Sequence, residues 1–99
     1  MKAILRLRSR VVLPDGAVVE MVAWELPRET PDRPHALKYR LYCGRDGKCL
    51  VRYDNETGKG DHRHYGELEQ RYRFRTWETL MEDFLADVDR LTGGKDDKT

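Results

Sequence analysis

The chain has 99 residues, with 19 Lys+Arg against 18 Asp+Glu, three histidines and a formal net charge of +1. Apolar residues make up 38% and charged residues 37%, which allows a thin core under a densely charged surface and excludes an enzyme with a deep substrate cavity. No apolar run reaches the roughly 18 residues of a membrane helix, and the arginines that interrupt residues 4–10 leave no signal-peptide core.

In chain order, residues 3–13 alternate. Ala3, Leu5, Leu7, Ser9, Val11 and Leu13 share one face, and Lys2, Arg6, Arg8 and Arg10 form a row on the other. Period two marks a half-buried strand. Pro14-Asp15-Gly16 has the residues of a tight hairpin turn, after which Ala17–Leu26 returns as a second strand. Three prolines between Pro27 and Pro34 break any ladder and predict a surface connection. Leu37–Cys43 is the third strand, with Lys38, Arg40 and Tyr42 facing away from Leu37, Tyr39, Leu41 and Cys43.

Arg45-Asp46-Gly47 is a second turn, leading into a fourth strand over Cys49–Tyr53. A three-residue loop would set Cys43 opposite Cys49, whereas a two-residue loop would put them out of register. Reduced thiols are expected in either case. A polar stretch from Asp54 to Asp61 precedes His62-Arg63-His64-Tyr65, a candidate fifth strand. Asp54-Asn55 reads as a local turn device. Tyr72 and Phe74 are anchors among Arg71, Arg73 and Arg75.

Trp77, Leu80, Met81, Phe84, Leu85, Val88 and Leu91 recur at spacings of three and four, an apolar stripe on a helix. Thr76 is its N-cap and Gly93-Gly94 its stop. Glu78, Glu82, Asp83, Asp87 and Asp89 form a solvated acidic face, and Trp24 and Trp77 are assigned to the core. The expected fold is α+β, an antiparallel sheet of four to five strands built from two hairpins and packed against one C-terminal α-helix. It forms a single domain over residues 1–92, with a flexible tail over 93–99.

Near-neutrality hides a division of charge. Residues 1–75 hold 16 basic and 11 acidic side chains, while residues 76–99 hold 3 and 7. A basic body can offer phosphates a positive face without being basic overall. The segment richest in reactive groups is Gly58-Lys59-Gly60-Asp61-His62-Arg63-His64-Tyr65. In an extended backbone His62 and His64 project from the same face, and Arg63 turns to the opposite one. Imidazole takes or gives a proton near neutral pH, so two rings can divide one reaction into general base and general acid. Lys59 can stabilise charge developing on a phosphate.

These groups suit metal-independent cleavage of RNA. The candidate catalytic residues are His62, His64 and Lys59. Candidates for substrate binding are Arg52, Arg63, Tyr53, Tyr65 and Asp61, the tyrosines as platforms for bases. A metal reading of His62 and His64 with Asp61 or Asp54 has no third nearby histidine, because His35 lies in the proline-rich connection. No metal or cofactor is assigned.

Lys38-Tyr39-Arg40-Leu41, Val51 through Glu56, Gly58 through His64 and Trp77 through Asp87 resemble the TumE family of toxins from bacterial type II toxin–antitoxin systems. The first hairpin, Val11-Val12-Leu13-Pro14-Asp15-Gly16, is similar too. The most specific part is Tyr53-Asp54-Asn55 followed by Gly58-Lys59-Gly60-Asp61-His62-Arg63-His64. The resemblance implies a small cytoplasmic toxin neutralised by a cognate antitoxin, typically a helix-turn-helix protein. It supplies no catalytic residues, so the ribonuclease reading rests on the paired histidines. The alternative is a non-enzymatic interaction protein or nucleic-acid-binding module whose HxH loop holds a cellular target or the antitoxin.

Overall fold

The computed structural model describes residues 3–31, 33–56 and 58–92. Strands β1 (Ile4–Val12), β2 (Val18–Glu25), β3 (Leu37–Arg45), β4 (Lys48–Asp54), β5 (His62–Tyr65) and β6 (Leu68–Arg71) precede one helix, α1 (Trp77–Thr92). Neighbours in sequence are neighbours in space: the six strands form one antiparallel sheet in the order β1-β2-β3-β4-β5-β6. The α+β arrangement agrees with expectation, and the strand count is higher. All four residues of β6 are exposed, so no apolar alternation announces it. It forms because Gly66-Glu67 turns the chain back and pairs Tyr65 with Leu68. The proposed Gly93-Gly94 helix stop, the tail over 93–99 and Lys2 lie outside the described residues. No helix among the described residues is long and apolar enough to cross a membrane.

The second hairpin decides the register of the cysteines. Asp46 and Gly47 both have positive φ, 55° and 76°, the geometry of a two-residue turn whose twist matches the strands. Arg45 therefore pairs with Lys48 and Gly44 with Cys49, while an irregularity sets Cys43 opposite Val51. Both cysteines are free. Burial pushes both thiols up, away from the reactive thiolate.

A single helix covers a single face. Val19, Leu41, Cys43, Val51 and Tyr53 alternate inward from the strands, and Leu80, Phe84 and Val88 meet them from α1, which packs across β4. Thr76 caps the helix, its Oγ1 accepting the Thr79 N–H at 3.0 Å. Trp77 packs against the core from the start of the helix. Two expectations change here. Leu85 is 44% exposed, off the buried stripe. Trp24 pairs with Lys38 in the ladder, which puts it on the face opposite the helix instead of in the core.

The acidic residues of α1 are not all solvated. Asp87 Oδ2 accepts the hydroxyls of both Tyr53 and Tyr65 at 2.6 Å, and Asp83 accepts Tyr72 at 2.6 Å. Carboxylates thus tie the helix to hydroxyls on the sheet side, while Glu78 and Glu82 face solvent. The rings add edge contacts, Tyr53 lying 4.9 Å from Tyr72 and 5.7 Å from Phe84 between centroids. Burial pushes the Asp87 carboxyl up, but hydrogen bonds from Tyr53, Tyr65 and Arg90 outweigh it and hold the group below its ordinary value of 3.8.

Asn55 locks the open end of the sheet. Its Oδ1 accepts the Tyr39 N–H at 3.0 Å and its Nδ2 donates to the Leu37 carbonyl at 2.6 Å, so a side chain continues the β3–β4 pairing past the last backbone pair. The buried Arg33 guanidinium donates to the Asn55 carbonyl at 2.7 and 3.2 Å. The local turn expected for Asp54-Asn55 is therefore a long-range clamp, which also fastens the proline-rich connection.

Phe84→Ala is expected to cost about 3–5 kcal/mol in urea unfolding, since it empties the centre of the helix–sheet contact. Asp87 is depressed in the folded state, so its stabilisation is present above the ordinary value and lost as pH falls through the folded one. Asp87→Asn is expected to flatten the acid limb of a stability–pH curve below roughly pH 4.

Candidate active site

Ladder pairing carries a side chain's face from strand to strand. Arg8, Val22, Arg40, Asp54, His62 and Arg71 are successive partners in one rung across all six strands. Arg10, Glu20, Tyr42, Arg52, His64 and Glu69 form the adjacent rung. Both rungs lie on the face that α1 leaves open. Arg6 is the exception to the predicted arginine row. The register shifts between Leu5 and Leu7, and Arg6 is ion-paired with Glu25, so the bulge turns it out of line with Arg8 and Arg10.

His62 and His64 share this face, as the spacing implies. They belong to a strand instead of a loop, with side chains only 16% and 13% exposed. Their Nε2 atoms converge: each lies 3.8 Å from the same Glu69 oxygen, and Lys59 Nζ reaches that oxygen at 3.5 Å. Lys59 Nζ donates toward that oxygen, and each Nε2 joins it as a donor when its ring is protonated, so with both rings charged the three nitrogens form a receptor for an anionic oxygen. Glu69 is exposed. Desolvation pushes its carboxyl up, while Lys59 and the two imidazoles together outweigh it and hold the group below the ordinary carboxylate value.

Each ring is oriented by a second contact. His62 Nδ1 lies 3.1 Å from the Gly60 carbonyl, which only accepts, so Nδ1 carries the proton and Nε2 points at the anion position. Arg52 Nη2 lies 3.1 Å from His64 Nε2. A guanidinium only donates, so this nitrogen of His64 accepts. Arg52 Nε sits 3.0 Å from Asp54 Oδ2 without a hydrogen bond of its own, and Asp54 Oδ1 is 3.8 Å from His64 Nε2. Asp54 thus stands ready to balance positive charge on His64.

The structure gathers His62, His64, Lys59 and Arg52 at one place and sends the other sequence candidates elsewhere. Arg63 turns to the helix face, where its guanidinium lies 5.9, 5.5 and 5.8 Å from the rings of Tyr53, Tyr65 and Tyr72 and its Nε donates to Gln70 at 3.1 Å. Tyr53 is fully buried and cannot stack on a base. The Tyr65 hydroxyl is committed to Asp87 on that same face. These three cannot serve a phosphate held by the histidines, because the sheet lies between.

Asp61 joins neither group. Its Oδ1 accepts the Tyr39 hydroxyl at 2.6 Å and lies 3.0 Å from His35 Nε2. Burial pushes its carboxyl up, but His35 and Tyr39 hold it below the ordinary value. His35 Nδ1 accepts the Leu37 N–H at 3.1 Å, so its proton is on Nε2, and its ring packs 4.1 Å from Phe74. The cluster anchors the residue just before β5. Asp61 is therefore unavailable as a ligand beside His62 and His64, and no group of three or more His, Cys, Asp or Glu among the described residues is placed to hold a metal ion.

Glu69 was missed as a neighbour of the paired histidines, while Asp54, considered beside them only as a metal ligand, stands 3.8 Å from His64. The signal for Glu69 was the Gly66-Glu67 turn, which alone sets His64 against Glu69 and His62 against Arg71. The neutral tautomers of His62 and His35 are opposite. Long-range proton–nitrogen NMR above the histidine titration range is expected to find His62 protonated on Nδ1 and His35 on Nε2, and the same form at both would contradict the geometry.

A search of curated proteins and a search of solved structures each found no match. A family model described as Toxin TumE matches residues 2–92, which span every strand and the helix. The chain belongs to the TumE toxin family.

Proposed function

We infer that this toxin is a metal-independent ribonuclease whose centre is the His62–His64 pair. The observation that carries the reading is the convergence of both Nε2 atoms and Lys59 Nζ on one anionic oxygen, which Glu69 supplies in the absence of substrate. A scissile phosphate displaces the exposed Glu69 side chain and takes that place. His64, whose Nε2 is an acceptor, removes the ribose 2′-hydroxyl proton as Arg52 shifts onto the phosphate. The 2′-oxygen attacks phosphorus, and a 2′,3′-cyclic phosphate forms as the bond to the 5′-oxygen breaks. His62 starts the step as the imidazolium: its Nδ1–H stays on the Gly60 carbonyl, and its Nε2–H passes to the departing 5′-oxygen, which leaves the ring neutral. Lys59 offsets the charge on the pentavalent phosphorane.

Family membership suggests an antitoxin partner. On the present reading that partner is a helix-turn-helix protein, and toxin and antitoxin act in the bacterial cytoplasm. The outward Glu78 and Glu82 of α1 are the acidic groups free to meet a basic antitoxin segment, since Asp83 and Asp87 are occupied by tyrosines. Charge reversal at Glu82 is expected to weaken the toxin–antitoxin complex, and unchanged affinity by calorimetry would discard that docking mode.

His62→Ala and His64→Ala are each expected to slow RNA cleavage roughly 100- to 10,000-fold. The parent should show a bell-shaped pH–rate profile that persists in EDTA. A ribonucleoside 3′-(p-nitrophenyl phosphate), whose leaving group needs no acid, separates the roles: His62→Ala is expected to retain its cleavage and His64→Ala to lose it. Growth arrest by the double variant equal to that of the parent, with cellular RNA intact, would overturn the nuclease reading in favour of target binding.

A further inference from the structure

We propose that the face opposite α1 is a track for one single-stranded RNA, running across the sheet from the histidine pair on β5 to Arg8 on β1. The proposal takes its substrate class from the ribonuclease reading, but it stands on different residues. The rung through His62 places cations on alternate strands, Arg40 on β3 and Arg8 on β1. With strands about 4.8 Å apart, Arg40 stands about 10 Å and Arg8 about 19 Å from His62 along the rung. A polymer that crosses the strands meets them one after another.

Asp54, the carboxylate on this line, is paired with Arg52, and the guanidiniums of Arg8 and Arg40 have no ion-pair partner among the described residues. Arg6, Arg10 and Arg52 are held by Glu25, Glu20 and Asp54. No carboxylate among the described residues lies within ion-pair distance of Arg8, Lys38 or Arg40, and all three are exposed. An open guanidinium keeps its whole fork of donors for a phosphate. The surface is also hollowed along the line. A depression of about 530 Å³ includes Lys38, Arg40 and Asp54, another of about 400 Å³ includes Arg8 and Val22, and Arg40 lines both.

Aromatic rings supply the second half of the recognition. Tyr42 lies over Gly44, where any side chain would collide with its ring and hydroxyl, and the Arg40 guanidinium is 5.2 Å from its centroid. The missing Cβ lets the ring lie down on the sheet. Trp24 stands half-buried on the same face beside Lys38. Rings set among cations on an open sheet suit unpaired bases, which a duplex does not offer. An acidic protein segment would use the cations and leave the rings without purpose.

The test uses the full chain and two 2′-O-methyl probes that cannot be cleaved: a dinucleotide, and an oligonucleotide long enough to reach β1. Binding is followed by fluorescence anisotropy across a salt series for the parent, Arg8→Gln, Arg40→Gln and the double variant. Each single substitution is expected to weaken the long probe about tenfold and to leave the dinucleotide unchanged in Arg8→Gln. Each lost contact is expected to lower the slope of log affinity against log salt by about 0.7. Both side chains are exposed, and unchanged circular dichroism and urea midpoints confirm that the variants fold. Equal affinity and slope in the double variant and the parent overturn the track. If the long probe binds as described while unmodified RNA stays intact, the track stands and the nuclease reading falls. If RNA is cleaved and the double variant cleaves the long substrate with the parent's KM, the nuclease reading stands and the track falls. Failure of the parent to bind the long probe, with Arg8→Gln and Arg40→Gln loosening an acidic protein partner, makes the face a protein-docking surface and also overturns it.

Discussion

One 16-residue helix cannot cover both faces of a six-stranded sheet, and the rest of the molecule follows from that imbalance. The covered face receives the apolar and aromatic residues. The other must remain in water on its own, and it does so by carrying charge. Strand alternation therefore sorts chemistry as well as hydrophobicity: Tyr53, Arg63 and Tyr65 go under or beside the helix, and Arg52, His62 and His64 go to the open side.

The two faces handle carboxylates differently. Beneath the helix, Asp83 and Asp87 accept neutral tyrosine hydroxyls and are fixed by them. On the open face Glu69 sits among Lys59, His62 and His64 at distances of 3.5–3.8 Å, longer than hydrogen bonds. The first arrangement is a fastening. The second is a loose electrostatic contact that an incoming anion can replace.

Much of this was legible in the chain itself, for identifiable reasons. The helix and the first four strands carry strong periodicity or turn residues with restricted backbone geometry, and the side-by-side placement of His62 and His64 is a consequence of pleating alone. The family resemblance, too, was readable from the Tyr53–His64 stretch. What could not be read depends on partners distant in sequence. Nothing near Asn55 announces that it clamps Leu37 and Tyr39, and nothing near Asp61 announces His35. β6 was hidden because an exposed edge strand has no apolar pattern to display. Tyr53 and Tyr65 were misplaced because a tyrosine reads alike as a ligand platform and as a donor to a buried carboxylate.

The outer edge of β1 has a consequence for how copies of the chain meet. It exposes Ile4, Leu5, Val11 and Val12 along a strand with an unpaired side, a surface that invites lateral stacking of sheets. A two-fold antiparallel junction there must keep like faces together, and it would bring Arg8 and Arg10 of one molecule against the same arginines of the next. Repulsion at that seam, reinforced by the kink at Arg6, discourages two copies from joining edge to edge into one continuous sheet.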